Sequence, residues 1–218
     1  MTKLEKIIWS KIIFYKNPKR NCFKYFDKLE EIPSSDRFKS GKRLKITKSK
    51  KEVVYDSFSE KKVLKDLDNC KYVKEMKTQS LIINYIPMLK VRKYYPDIQI
   101  ILDDGVVVII EVKPFREMVN KKNILKHEAL EKYCKKHRFG LAIIDSDYYS
   151  FEDLKNEKVP IIVQNKFIKF VKEKKELTFD ECDSFKEKYH LTDYQLCYII
   201  WNNRKKHLVY NQHLIKYI

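Results

Sequence analysis

Asp97, Glu111 and Lys113 are the residues whose types and spacing could do chemistry together. They lie in YYPDIQIILDDGVVVIIEVKP, residues 94–114. Val106 to Ile110 is an unbroken β-branched run and reads as a strand buried on both faces. It ends in Glu111-Val112-Lys113, a carboxylate and an ammonium at the tip of a core strand. Charge near a dry core is costly unless it is paired or bound to metal. Glu111 and Lys113, two apart, share one face of the strand, and Val112 takes the other. Asp103-Asp104-Gly105 is a hairpin signal, and a turn centred near Asp104 sets Asp97 opposite Glu111. Two adjacent carboxylates repel unless a divalent cation holds them, and oxygen-only ligation favours Mg2+ or Mn2+. Lys113 beside them could orient an attacking water or stabilise a phosphate as negative charge builds up. A structural salt bridge from Lys113 to Glu111 or Asp97 is the plainer alternative. The two readings differ in what Lys113→Ala does. A transition-state role leaves melting close to wild type and removes activity; a structural pair does the reverse.

Several elements must position these residues. Phe58, Val63, Leu64 and Leu67 recur at helical spacing, and Ser57 three residues before Glu60 resembles a capping box, so a helix is expected over about 57–67. SLIINYI (80–86) reads as a strand, followed by the hairpin IQIIL–DDG–VVVIIEV, which Pro114 ends. Leu125, Ala129, Leu130, Tyr133 and Cys134 lie on one side of a helix expected over 116–137, with Gly140 as the cap residue past its end. LAIID (141–145) is another buried strand. Helix, strand, hairpin, helix, strand predicts an α/β fold with a mixed sheet flanked by helices.

Pro96-Asp97, a tight hairpin, a β-branched run and Glu111-Val112-Lys113 resemble the PD-(D/E)xK nuclease superfamily. An acidic residue on an early helix completes that family's site, and Glu60 matches it. The stretch YDSFSEKKVLKDLDNCKYVKEMKTQSLIINYI and the hairpin after it are similar to the N-terminal catalytic domain of TnsA-type transposon endonucleases, over about residues 52–148. The shared features are Glu60, Gln79-Ser80 leading a strand, Tyr95-Pro96-Asp97, and EVKP followed by a helix and LAIID. The resemblance implies a restriction-endonuclease-like fold and a Mg2+-dependent endonuclease, with Mn2+ able to substitute. Asp97, Glu111 and Glu60 would be metal ligands, Lys113 the transition-state cation, and Gln79 would line the site. It further implies cutting at the 5′ ends of a cut-and-paste element, beside a recombinase that handles the 3′ ends and an AAA+ regulator.

The charge pattern agrees with a polyanionic partner such as double-stranded DNA. The net charge is +17 over 218 residues, divided as +10 over 1–50, +2 over 51–154 and +5 over 155–218. These three segments are the expected domains: a basic N-terminal arm, the nuclease domain, and a winged-helix-like C-terminal domain. The arm alternates apolar pieces with turn-like stretches, and Leu4, Ile8, Ile12 and Tyr15 suggest one face of a short helix. The C-terminal segment reads as three helices and a short hairpin, with Thr192 capping the third helix and Arg204, Lys205 and Lys206 at its end as DNA contacts. A helical bundle, with those cations serving the helix dipole, is the alternative. Five scattered cysteines without a CxxC pair suggest reduced thiols and no zinc site. No signal peptide and no apolar run long enough to span a membrane are visible, so a cytoplasmic protein is expected. The competing functions are a stand-alone restriction, recombination or repair nuclease of a mobile element or phage, and a DNA-binding adaptor with a vestigial site.

Overall fold

The computed structural model describes residues 2–15, 17–29, 42–87, 89–211 and 213–218, with the side chains of Lys3 and Leu4 left aside. Most of the turn-like stretch over 30–43, and the place of Leu4 on a helix face, lie outside the described residues. Two compact units divide the chain: Met1–Pro114 with Lys126–Tyr148, and Phe115–Leu125 with Tyr149–Ile218.

The first unit opens with α1 (Lys3–Ser10), whose capping box joins Thr2 and Glu5. Ile8 and Ile12 are buried as expected, but the helix stops at Ser10 and Ile13–Phe14 form a strand, β1. α2 (Phe23–Asp27), β2 (Lys42–Leu44) and β3 (Val53–Tyr55) follow. α3 (Phe58–Asp68) begins where expected, with Ser57 Oγ accepting from Glu60 N at 3.1 Å. β4 (Val73–Thr78) comes next. β5 (Ile83–Tyr85) and β6 (Arg92–Tyr94) form a separate two-stranded sheet, so the strand expected over 80–86 is shorter than anticipated and stands apart from the main sheet.

β7 (Ile98–Leu102) and β8 (Val107–Val112) are the expected hairpin. Ile98 pairs with Ile110 and Ile101 with Val107, a register that continues to Asp97 opposite Glu111. Past α4 (Phe115–Met118) and α5 (Lys121–His137), β9 (Gly140–Ile144) pairs parallel with β8. The main sheet runs β1-β9-β8-β7-β4 and is mixed. One face, carrying Ile98, Ile100, Val108, Ile110 and Val112, packs with Val63, Leu64 and Leu67 of α3. The other carries Gln99, Ile101, Val107, Ile109 and Glu111, all buried.

Two expectations near α5 are corrected. The single helix over 116–137 is two, because Asn120 breaks the run and caps α5, its Oδ1 accepting from Lys122 N at 3.1 Å. Gly140 is no helix cap. Arg138 takes the left-handed turn after α5, with φ 58°, and Gly140 is the first residue of β9. A Cβ there would come within 2.9 Å of Val108 Cγ2, so the glycine serves close packing.

The second unit contains α4, α6 (Phe151–Asn156), α7 (Ile161–Lys174), β10 (Glu176–Leu177), a 3-10 turn at Asp180–Cys182, α8 (Asp183–Tyr189), α9 (Asp193–Asn203), β11 (Leu208–Asn211) and β12 (Leu214–Tyr217). The three strands pair antiparallel in the order β10-β12-β11. From α7 onward the order is helix, strand, two helices and hairpin, with Thr192 capping α9 as expected.

Candidate active site

The open end of the β7–β8 hairpin gathers the charges. Lys113 Nζ lies 2.8 Å from Glu111 Oε1 and 3.3 Å from Asp97 Oδ2. It also donates to the Val112 carbonyl at 3.1 Å. Val112 N donates to Asp97 Oδ2 at 2.8 Å, and Asp97 N points to Glu111 Oε2 at 3.3 Å. The strand ladder itself therefore aims both carboxylates at one spot. Glu111 is 1% exposed and the Lys113 side chain 21%.

These charges do not balance. Burial and the neighbouring Glu111 push the Asp97 carboxyl well above its ordinary range, despite Lys113. Burial opposes ionisation of Glu111 too, but Lys113 and further partners hold that carboxyl below its ordinary range. Burial would lower the Lys113 ammonium, and the two carboxylates override it, so it stays charged. One ammonium thus serves two buried carboxyl groups, and ionising both together is a cost that a hard cation would relieve.

Glu60 comes from the first turn of α3. Its Oε2 accepts from Asp56 N at 2.8 Å and its Oε1 from Ser57 Oγ at 2.9 Å. Burial raises its pKa, and the Lys113 charge acts against that, so Glu60 belongs to the same electrostatic cluster. Gln79 does not lead a strand. It follows β4 with φ 46°, and its N–H donates to the Asp97 carbonyl at 3.1 Å. Its side chain donates to Asp56 Oδ2 at 3.2 Å, which joins Gln79 to the Glu60 cap.

Four residues escaped the sequence reading. Asp56 links Glu60 and Gln79; its signal was an acid directly before the Ser57 cap. Gln99, fully buried, accepts from Ser80 N at 3.1 Å and Ser80 Oγ at 2.6 Å, and donates to the Pro96 carbonyl at 2.9 Å. That amide pins the turn carrying Asp97, and an amide inside the apolar run IQIIL was the clue. Tyr94 is buried with its hydroxyl beside Glu111, short of good hydrogen-bond geometry, and it helps to lower that carboxyl's pKa. His127, on α5, acts on Glu111 in the same sense. Nothing in the spacing of His127 announced this.

Among the described residues no three or more His, Cys, Asp or Glu side chains are grouped to hold a metal. Two adjacent carboxylates nevertheless fit Mg2+, which is commonly held by one or two carboxylates.

Arg204, Lys205 and Lys206 lie in the second unit, in the turn after α9. Arg204 stacks over Trp201 at 4.5 Å and donates to the Trp201 carbonyl at 2.7 Å. Lys205 and Lys206 are exposed, whereas α9 itself, packed by α4 and α6, has only Asn202 fully open among its residues.

A mixed sheet whose central hairpin sets Pro96-Asp97 across from Glu111-x-Lys113, with an acidic helix start nearby, defines a nuclease domain of the PD-(D/E)xK class. Within that class, residues 70–146 match the family described as TnsA-like endonuclease, N terminal, so this stretch is similar to an endonuclease domain of that type. The match holds Gln79, Asp97, Glu111 and Lys113; Glu60 lies ahead of it. No curated protein matches the chain. Among the described residues no helix is long and apolar enough to cross a membrane.

Proposed function

We propose that this protein is a Mg2+-dependent endonuclease that hydrolyses phosphodiester bonds in double-stranded DNA, with Mn2+ able to substitute. The observation that carries the reading is the pair of buried carboxylates, Asp97 and Glu111, sharing one ammonium at a strand end. Asp97 and Glu111 would hold the cation, with Glu60 completing its surroundings. When bound, the cation supplies Lewis-acid stabilisation of the phosphodiester.

The chain's own groups do the rest. Lys113, held charged at the site, sits where negative charge grows on the phosphate, and a fixed cation there lowers the barrier. The Gln99 and Gln79 hydrogen bonds fix the Asp97 backbone, so its carboxylate needs no reorganisation on binding. The Asp56 N–H and Ser57 hydroxyl orient Glu60. Gln79 lines the approach. In the second unit, Lys205 and Lys206 are the groups free to meet phosphates, with Arg204 held on Trp201.

The family match supports a role in transposition. By the resemblance, this role is cutting at the 5′ ends of an element together with a recombinase and an AAA+ regulator. The testing experiment is nicking of supercoiled plasmid by the purified chain in Mg2+, Mn2+ and EDTA, paired with Mn2+ binding by electron paramagnetic resonance. Wild type should nick only with a divalent cation, and Asp97→Asn should neither nick nor bind Mn2+ tightly. Tight Mn2+ binding by Asp97→Asn, or nicking in EDTA, would sink the assignment.

A further inference from the structure

The β5–β6 hairpin reaches Asp97 through only Tyr95 and Pro96, and it is built in an unusual way. Ile83, Tyr85 and Tyr94 are buried, with the two tyrosine rings packed edge-on at 6.4 Å. The tip is the reverse. Ile86 is 64% exposed, Leu89 99% and Val91 65%. Leu89 has φ 66°, a conformation a bulky residue rarely adopts. Lys90, Arg92 and Lys93 are exposed among them, and no Asp or Glu occurs from Leu81 to Pro96.

Apolar side chains largely open to water add little to the free protein's stability, and an anchored hairpin holding them outward needs another explanation. A protein partner would bury them, but the cores of such interfaces are depleted in lysine. Here cations alternate with the apolar residues over four consecutive exposed positions, 89–92, and exposed Lys93 follows. That alternation fits DNA, where apolar wedges enter the minor groove between base pairs and Lys or Arg take the flanking phosphates. From Val91 to Asp97 the chain spans at most about 20 Å, or roughly six base pairs along the duplex.

We propose that the tip of the β5–β6 hairpin is a minor-groove wedge. Ile86, Leu89 and Val91 press between base pairs, Lys90, Arg92 and Lys93 hold the phosphates beside them, and the duplex bends close to the bond to be cut. This rests on the nuclease reading above. It adds a preference for sites with easily unstacked pyrimidine–purine steps.

The test uses the full chain and a mixed pool of duplexes carrying a fluorescence energy-transfer pair at their ends, in EDTA so that the DNA stays intact. Wild type should shorten the end-to-end distance. The double variant Leu89→Ser with Val91→Ser should bind about tenfold more weakly, equivalent to ~1.4 kcal/mol. It should leave the duplex straight and the salt dependence of binding unchanged. Replacing Lys90, Arg92 and Lys93 with Ala should lower the slope of log affinity against log salt by about two to three. Ile86→Ser, on the other strand, is an independent probe of bending should the double variant misfold. Binding by wild type without bending, or unaltered bending by both Ser variants, overturns the wedge while plasmid nicking leaves the nuclease reading intact. Loss of a protein partner with bending unaltered overturns it equally. Failure of wild type to bind or nick DNA under any condition sinks both.

Discussion

Two hairpins follow one another between Ile83 and Val112, and they distribute apolar and charged groups in opposite ways. β7–β8 buries its apolar residues, turns on Asp103-Asp104-Gly105 and keeps its charges at the open end, locked in the strand ladder. β5–β6 buries one face, keeps its cations in solvent and puts apolar residues at the turn. The first arrangement makes charge expensive to move, which suits preorganised chemistry. The second leaves both kinds of group ready for a partner. The contrast predicts that substitutions in the first hairpin are felt by the fold and those in the second by what the protein touches.

The largest effect should come from Lys113→Ala. Nicking should fall on the order of a hundredfold or more, the usual loss when one preorganised electrostatic donor goes. The structure also alters the expectation that melting stays near wild type. Lys113 bridges two buried carboxylates, so the variant should lose about 3–5 kcal/mol without divalent cation and recover part of it in Mg2+. Thermal melts with and without Mg2+, alongside plasmid nicking, measure both halves. A variant that melts like wild type in EDTA would mean the carboxylates are not ionised together, and the contrast would weaken.

Gly105→Ala probes the polar turn of the same hairpin. Gly105 has φ 76°, and a Cβ there would meet Asn21 N at 2.5 Å. A loss of about 2–4 kcal/mol in urea unfolding is expected from strain and overlap. Replacing Lys205 and Lys206 with Ala probes solvated charge far along the chain. Stability should hold, and the salt slope of DNA binding should fall by about two, one unit per phosphate contact. An unchanged slope would remove the C-terminal turn from the DNA contacts. The smallest effect belongs to Leu89→Ser, whose melting should move by no more than about 0.5 kcal/mol, as for other exposed positions. A larger loss would show that the second hairpin is structural after all.

What could be read from sequence follows the same physics. The β7–β8 register was legible because an Asp-Gly turn and a β-branched run each constrain pairing, and together they set Asp97 opposite Glu111. Glu60 was legible because a cap couples residue type to helix start. β4 was not. A bulge between Val73 and Glu75 shifts its register, so Val73 and Met76 are buried three apart and the period of two disappears. Losing β4 misplaced Gln79, read as leading a strand when it follows one. β1 was read as helix because its partner lies more than 120 residues away, and no local pattern reports such a pairing. Gln99 and His127 act through neighbours brought together only by the fold.

Ile13 and Phe14 pair with Leu141 and Gly140 along the outer side of β9. Their removal would bare a row of unpaired N–H and C=O groups on an apolar strand, the template on which sheets of separate molecules join edge to edge. The short strand β1 therefore guards against self-association: a chain starting after Phe14 should sediment as growing oligomers as its concentration rises, while the intact chain keeps one sedimentation coefficient.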